Sequence, residues 1–311
     1  MKKYCFGIDV GGTSVKCGLF TAEGEVLDKW EIPTRTENNG EQILPDIAAS
    51  IKDKMTENEI SAEEVAGVGI GVPGPVNDEG VINGAVNLHW GVFNIEEKLS
   101  ELTGLPAKAG NDANVAALGE QWKGGGMGYQ NLIMVTLGTG VGGGIIINGK
   151  ILAGSNGAAA EIGHAFVDGS VPENCNCGNR GCLEQFASAT GIARLAREAM
   201  ASTDAPSLMR GQEKVTAKTV FDAVKEGDAL AIQVAERFGD YLGSALSIFA
   251  AVVDPQAIVI GGGVSKAGAI LLDYIKPSFM KHAFHACRGT EFVMATLGND
   301  AGIYGAAKMV L

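Results

Sequence analysis

His164, Cys175, Cys177 and Cys182 place three thiols within eight residues and an imidazole just upstream. Four soft protein ligands are the donor set of a closed tetrahedral zinc site, with no position left for water, so an ion there would be structural. Gly178 and Gly181 let the chain wrap tightly between the thiols. Cys-x-Cys is a less usual spacing than Cys-x-x-Cys, and scattered buried cysteines are the plainer alternative. Glu161 stands three residues before His164, and Glu184 two after Cys182, so a metal-pinned loop would hold two carboxylates in one place. Carboxylates beside a histidine and an asparagine accept hydrogen bonds from vicinal sugar hydroxyls. Taken singly, each glutamate reads as a solvated charge.

Asn111 and Asp112 stand just before a helical pattern. Both residue types are favoured helix caps, which is the bland reading. The chemical reading is that Asp112 projects into a cleft at a domain junction and takes the proton of a substrate hydroxyl. In phosphoryl transfer such a base needs positioning more than a strongly raised pKa.

Three glycine runs lie beside apolar segments. Gly138, Gly140 and Gly143 have the spacing of a dinucleotide fingerprint, but they run into Ile145-Ile146-Ile147 and the turn Asn148-Gly149. That fingerprint must open a helix, so the reading fails. Gly144 to Lys150 approaches a P-loop, yet three isoleucines fill it and Ile151 replaces the magnesium-binding hydroxyl. Gly11-Gly12-Thr13 and Gly138-Thr139-Gly140 read better as hairpins, each offering backbone N–H groups and a threonine hydroxyl to phosphates. Tight hairpins without a ligand are the alternative. A third run, Gly261-Gly262-Gly263, follows a strand.

The elements that must position these residues alternate between strand and helix. Strands are expected at Tyr4–Ile8, Val15–Phe20, Val26–Ile32 and Val65–Val72, the last closed by Gly71-Val72-Pro73-Gly74-Pro75. Helical periodicity covers 42–55, 95–102 and 115–122. The pattern then restarts with strands at Leu132–Leu137 and Gly144–Ile147, which suggests two related α/β halves with a glycine hairpin in each. A cysteine-bearing insertion spans 153–182, helices dominate 183–253, a strand covers Ala257–Ile260, and a last helix at 302–310 is placed to return to the first half. With no low-complexity linker, the cleft between the halves is the expected ligand site.

At 311 residues with 46% apolar content, the chain fits a folded protein of two ordinary domains. A net charge of -12 and no basic block argue against nucleic-acid and anionic-membrane partners. A nucleotide remains compatible, because backbone N–H groups and a metal can hold its phosphates. Asp9 interrupts the first apolar run too early for a signal peptide, and no stretch is long and apolar enough to span a bilayer, so a cytoplasmic protein with reduced cysteines is expected.

Taken in order, Asp9-Val10-Gly11-Gly12-Thr13, Gly71-Val72-Pro73-Gly74, Asn87-Leu88-His89-Trp90 and Asn111-Asp112-Ala113-Asn114 form a specific series. It continues through Leu137 to Gly144, Glu161-Ile162-Gly163-His164, Cys175-Asn176-Cys177-Gly178, Gly181-Cys182-Leu183-Glu184 and Gly261 to Ser265. Over essentially the whole chain this sequence resembles the ROK family of sugar kinases and repressors, most of all its bacterial glucokinase branch.

The resemblance implies an actin-like ATPase (ribonuclease H-like) fold, with two α/β domains flanking a cleft. The small domain is expected at 1–112 plus 301–311, and the large one, with the zinc loop, at 113–300. It implies ATP-dependent phosphorylation of glucose at the 6-hydroxyl, with Asp112 as base and Asn87, Asn111, Asp112, Glu161, His164 and Glu184 on the sugar. ATP would meet Asp9, Gly11, Gly12, Thr13, Gly138, Thr139, Gly140, Gly261, Gly262 and Gly263. Mg2+ would accompany ATP near Asp9, structural Zn2+ would sit on His164 and the three cysteines, and the assembly would be a homodimer or homotetramer. A kinase for N-acetylmannosamine, allose or fructose shares nearly every motif. A ROK repressor would need a helix-turn-helix before Asp9, where no room is left, and a non-catalytic sugar-binding or zinc module would not need Asp112 and both phosphate loops. One departure is Ala160, where the family usually has glycine before Glu161.

Overall fold

The computed structural model describes residues 2–311. The chain runs β1 (Tyr4–Val10), β2 (Ser14–Thr21), β3 (Val26–Pro33), a distorted turn α1 (Glu37–Gly40), α2 (Ile43–Glu57) and β4 (Val65–Val72). Next come β5 (Val81–Ala85), β6 (Trp90–Asn94), α3 (Ile95–Thr103), β7 (Ala107–Asn111), α4 (Asp112–Lys123), β8 (Leu132–Leu137), β9 (Val141–Ile147) and β10 (Lys150–Ile151). The remainder is α5 (Glu184–Ala187), α6 (Ala189–Ala201), α7 (Ala217–Lys225), α8 (Ala229–Val253), β11 (Ala257–Gly261), α9 (Ile270–His282), β12 (Glu291–Met294) and α10 (Ala301–Lys308). No helix is long and apolar enough to cross a membrane among the described residues.

Two compact units form. The first comprises 1–130, 144–160 and 296–311; the second comprises 131–143 and 161–295. The first unit therefore extends through α4, past the boundary expected at residue 112. Its sheet has the order β3-β2-β1-β4-β7, with β1, β2 and β3 antiparallel and β1, β4 and β7 parallel. Phe6, Ile8, Ile70, Ile47 and Ile51 are fully buried in the core between this sheet and α2. On the other face lies α10, the returning helix, packed against α4. Gly305 is what permits that approach, since a Cβ there would overlap the Val115 carbonyl. This close packing assigns α4 to the first unit.

In the second unit, β8, β11 and β12 run parallel in the order β8-β11-β12. The helices α5 to α9 surround α8, which is apolar around most of its circumference and buries Leu230, Val234, Phe238, Leu242 and Leu246. The β5–β6 hairpin, β7, β10 and β12, which the sequence pattern does not single out, complete the strands.

Candidate active site

On the first unit, parallel strands β1, β4 and β7 end side by side: Asp9 pairs with Gly71, and Gly71 with Gly110. Carboxyl ends of parallel strands are where α/β sheets bind ligands. Asp112 opens α4 directly after β7, half-buried, and its Oδ1 accepts from the Ala113 N–H at 2.8 Å. The cap is Asn111, whose Oδ1 accepts from Ala113 (3.0 Å) and Asn114 (3.2 Å). Its Nδ2 donates to the Gly74 carbonyl at 3.3 Å, tying the Gly71 to Pro75 turn to the helix start. Cap and chemical candidate are thus neighbours, not rivals: Asn111 caps, which leaves Asp112 at the first helical position.

Asp9 shares this edge. Burial pushes its carboxyl up to about 6, the negative charge of Asp112 adds to the rise, and Lys16 opposes it. Behind it stands Gly302 of α10, where a Cβ would fall 2.6 Å from the Asp9 carboxyl carbon. The turn after β1 is held from outside: Thr34 donates its hydroxyl to the Gly11 carbonyl at 2.7 Å and its N–H to Thr13 at 3.0 Å. Around Gly12 the space is open. Asn87 lies on the same unit, exposed in a short turn (Val86–Leu88) between β5 and β6.

The second unit brings the cysteines and His164 together. One donor atom from each of His164, Cys175, Cys177 and Cys182 lies within 4.8 Å of the others. Cys177 Sγ and Cys182 Sγ are 3.6 Å apart, far beyond a disulfide. Cys175 Sγ and His164 Nδ1 are also 3.6 Å apart. Zinc–sulfur and zinc–nitrogen bonds of about 2.3 and 2.0 Å in a tetrahedron require edges of roughly 3.8 and 3.5 Å, so the donors fit zinc. Gly178 (φ 88) and Gly181 (φ 86) occupy the left-handed conformation, as wrapping a metal knuckle demands. Burial pushes the Cys175 thiol up to about 12, a cost that a bound cation reverses by favouring thiolate.

With Nδ1 on the cluster, the other His164 nitrogen faces Glu161, Nε2 to Oε2 at 3.9 Å. Ala160, just before Glu161, has φ 67, so the position usually held by glycine does need the left-handed region. Glu184 sits differently from a free sugar ligand. Its Oε2 accepts from the Val141 N–H (3.2 Å) and its Oε1 from the Cys175 thiol (3.2 Å), and a Cβ at Gly140 would overlap it. It thereby joins the cysteine cluster to the Gly138–Gly140 hairpin. That hairpin is further fixed by Gly138 N–H to Gly140 O (2.9 Å), Ala189 N–H to Gly138 O (2.8 Å) and Thr190 hydroxyl to Thr139 O (3.0 Å). The third glycine run buttresses it: Gly262, at φ 83, lies so close to the Leu137 backbone that no side chain fits. A cavity of about 170 Å³ opens beside Gly263 and Val264, walled by Phe221 of α7.

Sequence reasoning missed Gln185, whose Oε1 accepts from Gly181 (2.8 Å) and Cys182 (3.1 Å) and whose Nε2 donates to Glu173 O (2.9 Å). It also missed Thr34. Both act on backbone groups, which leave no trace in residue type; the place of Gln185 directly after Glu184 was the only cue.

Residues 5–311 match the ROK family. A glucokinase of Halalkalibacterium halodurans is 47% identical, the alignment covering 99% of this chain and 95% of that protein. A glucokinase of Thermotoga maritima is 39% identical over 98% of this chain and 96% of its own length. Among solved structures, a ROK family glucokinase from Streptomyces griseus in complex with glucose and AMPPNP is 34% identical, with a TM-score of 0.74 and 98% of both chains covered. The two α/β units have the actin-like ATPase fold that the sequence implied.

Proposed function

The chain belongs to the ROK family, and on that premise we propose that it is an ATP-dependent glucokinase that phosphorylates the 6-hydroxyl of glucose. The observation that carries this reading is Asp112, presented at the carboxyl edge of a parallel sheet with a second half-buried carboxylate, Asp9, on the same edge, in a chain 47% identical over nearly its whole length to a glucokinase.

Asp112 accepts the 6-hydroxyl proton as that oxygen bonds to the γ-phosphorus. The bond from γ-phosphorus to the bridging oxygen breaks, and ADP leaves with the electron pair. Glucose is held by Asn87, Glu161, His164 and Glu184, together with the Asn111 amide hydrogen that its cap and Gly74 do not use. The hairpins at Gly11–Thr13 and Gly138–Gly140 cradle the phosphates with backbone N–H groups, and Gly261 to Gly263 border the adenosine beside the small cavity at Phe221. Asp9 would hold Mg2+ through water, and the ion would neutralise charge on the phosphates. Zinc on His164, Cys175, Cys177 and Cys182 is structural; the chain's part is to fix the His164 ring so that Nε2 faces the sugar.

Reduced cysteines suit a cytoplasmic enzyme. Ile248 and Val252, exposed one turn apart on α8, offer an apolar strip for a homodimer or homotetramer. A coupled ADP-release assay over glucose, mannose, fructose, allose and N-acetylmannosamine tests the substrate. Glucose is expected to give the highest kcat/KM; a higher value for N-acetylmannosamine or allose contradicts the reading.

A further inference from the structure

Each glycine hairpin closes with one internal bond: Gly11 N–H to Ser14 O at 3.0 Å, and Gly138 N–H to Gly140 O at 2.9 Å. Inside each, a carbonyl precedes a glycine, Gly11 before Gly12 and Thr139 before Gly140, and glycine lets the peptide between them turn over cheaply. A peptide group is planar and trans, so a carbonyl points opposite to the N–H of the following residue. The facing of the Gly11 and Thr139 carbonyls therefore decides where the Gly12 and Gly140 N–H groups point. Those two N–H groups have no acceptor among the described residues.

In each unit a threonine from outside the hairpin fixes that facing. Thr34, half-buried just past β3, donates its hydroxyl to the Gly11 carbonyl at 2.7 Å. Thr190, in the first turn of α6, donates its hydroxyl to the Thr139 carbonyl at 3.0 Å. The fully buried Ser188 hydroxyl lies 2.9 Å from that of Thr190. A hydroxyl has one proton to give, so with the Thr190 proton on Thr139 it is Ser188 that donates, while accepting from the Gly191 N–H at 3.0 Å. We propose that Thr34 and Thr190 are positioning residues for nucleotide binding. By holding one carbonyl of each hairpin back, they aim the Gly12 and Gly140 N–H groups at the phosphates and keep two carbonyl oxygens off that negative charge. Without the hydroxyl, the peptide turns over at its glycine and presents an acceptor where a donor is needed.

The inference rests on the reading of these hairpins as phosphate cradles. Its test is calorimetric titration of the full chain with Mg·AMPPNP and, separately, with glucose, alongside steady-state kinetics. Thr34→Val and Thr190→Val are each expected to lose about tenfold in Mg·AMPPNP affinity and in kcat/KM for ATP, the loss of one charge-assisted hydrogen bond. Their glucose affinity should stay within about twofold of wild type, and Thr34→Ser and Thr190→Ser, which keep the hydroxyl, within about threefold for the nucleotide. Thr190 is exposed, so Thr190→Val carries the test even where Thr34→Val folds poorly. Unaltered nucleotide affinity in Thr190→Val, an equal loss of glucose affinity, or serine variants as weak as the valine ones overturns this inference and leaves the kinase reading standing. A wild-type chain that binds no Mg·AMPPNP overturns both.

Discussion

Asp9 carries a cost that function explains. Its carboxyl, raised to about 6 against about 3.9 in an unfolded chain, keeps its proton in the folded state while the unfolded chain has already ionised. Stability is thus lost as pH climbs from about 4 to 6, and the penalty stays constant above that. Asp9→Asn is expected to be more stable than wild type at pH 7 by on the order of 2 kcal/mol, with the gap closing below pH 4 in denaturant titrations, while losing activity. An equal or smaller stability at pH 7 contradicts the burial argument. Ala160 is a second local cost, this one without a visible return. At φ 67 an alanine is strained, so Ala160→Gly should raise unfolding free energy by about 1 kcal/mol. The set of His164 and three cysteines was legible in the sequence because residue type alone limits what it can do, whereas Ala160 stood out only against the glycine usual in the family it resembles. Glu184 was legible as a member of the site but not in its hydrogen bonds to Val141 and Cys175, which depend on strand placement.

Among elements, α4 does the most. Its N-terminus presents Asp112, and near its C-terminus the fully buried Glu120 accepts from the N–H groups of Gly125 (2.8 Å), Thr296 (3.0 Å) and Leu297 (2.8 Å). Those last two residues begin the segment leading into α10, so one carboxylate ties the helix to the returning chain. Glu120→Ala removes a buried acceptor from three partly buried N–H donors and should cost about 3 kcal/mol in chemical unfolding, with Glu120→Gln recovering part. A loss under 1 kcal/mol contradicts this role. Sequence periodicity found α4, but not the unit it joins, because the Gly305 contact that draws α4 onto α10 is invisible to periodicity. The cysteine loop makes an independent prediction. Metal analysis should find one zinc per chain, and stripping it with a chelator should lower both the unfolding temperature and the affinity for glucose, with zinc restoring both. Full activity in a zinc-free preparation contradicts the role of His164 as a metal-oriented ligand.

For the whole molecule, the sequence pattern of strand, glycine turn and strand occurring twice announced two α/β units, and the structure contains them. What the pattern lacked was the path of the chain, which leaves the first unit after 130, returns at 144, departs at 160 and returns again at 296. Glucose at 100 times its Kd should stabilise the protein by about 2.7 kcal/mol, and an unchanged thermal midpoint contradicts glucose binding. The most direct measurement is the single-turnover rate of Asp112→Asn with saturating glucose and Mg·ATP, paired with its glucose affinity. The account requires a rate lower by at least about 100-fold with glucose affinity within a few-fold of wild type, and a rate near that of wild type would remove Asp112 from the chemistry.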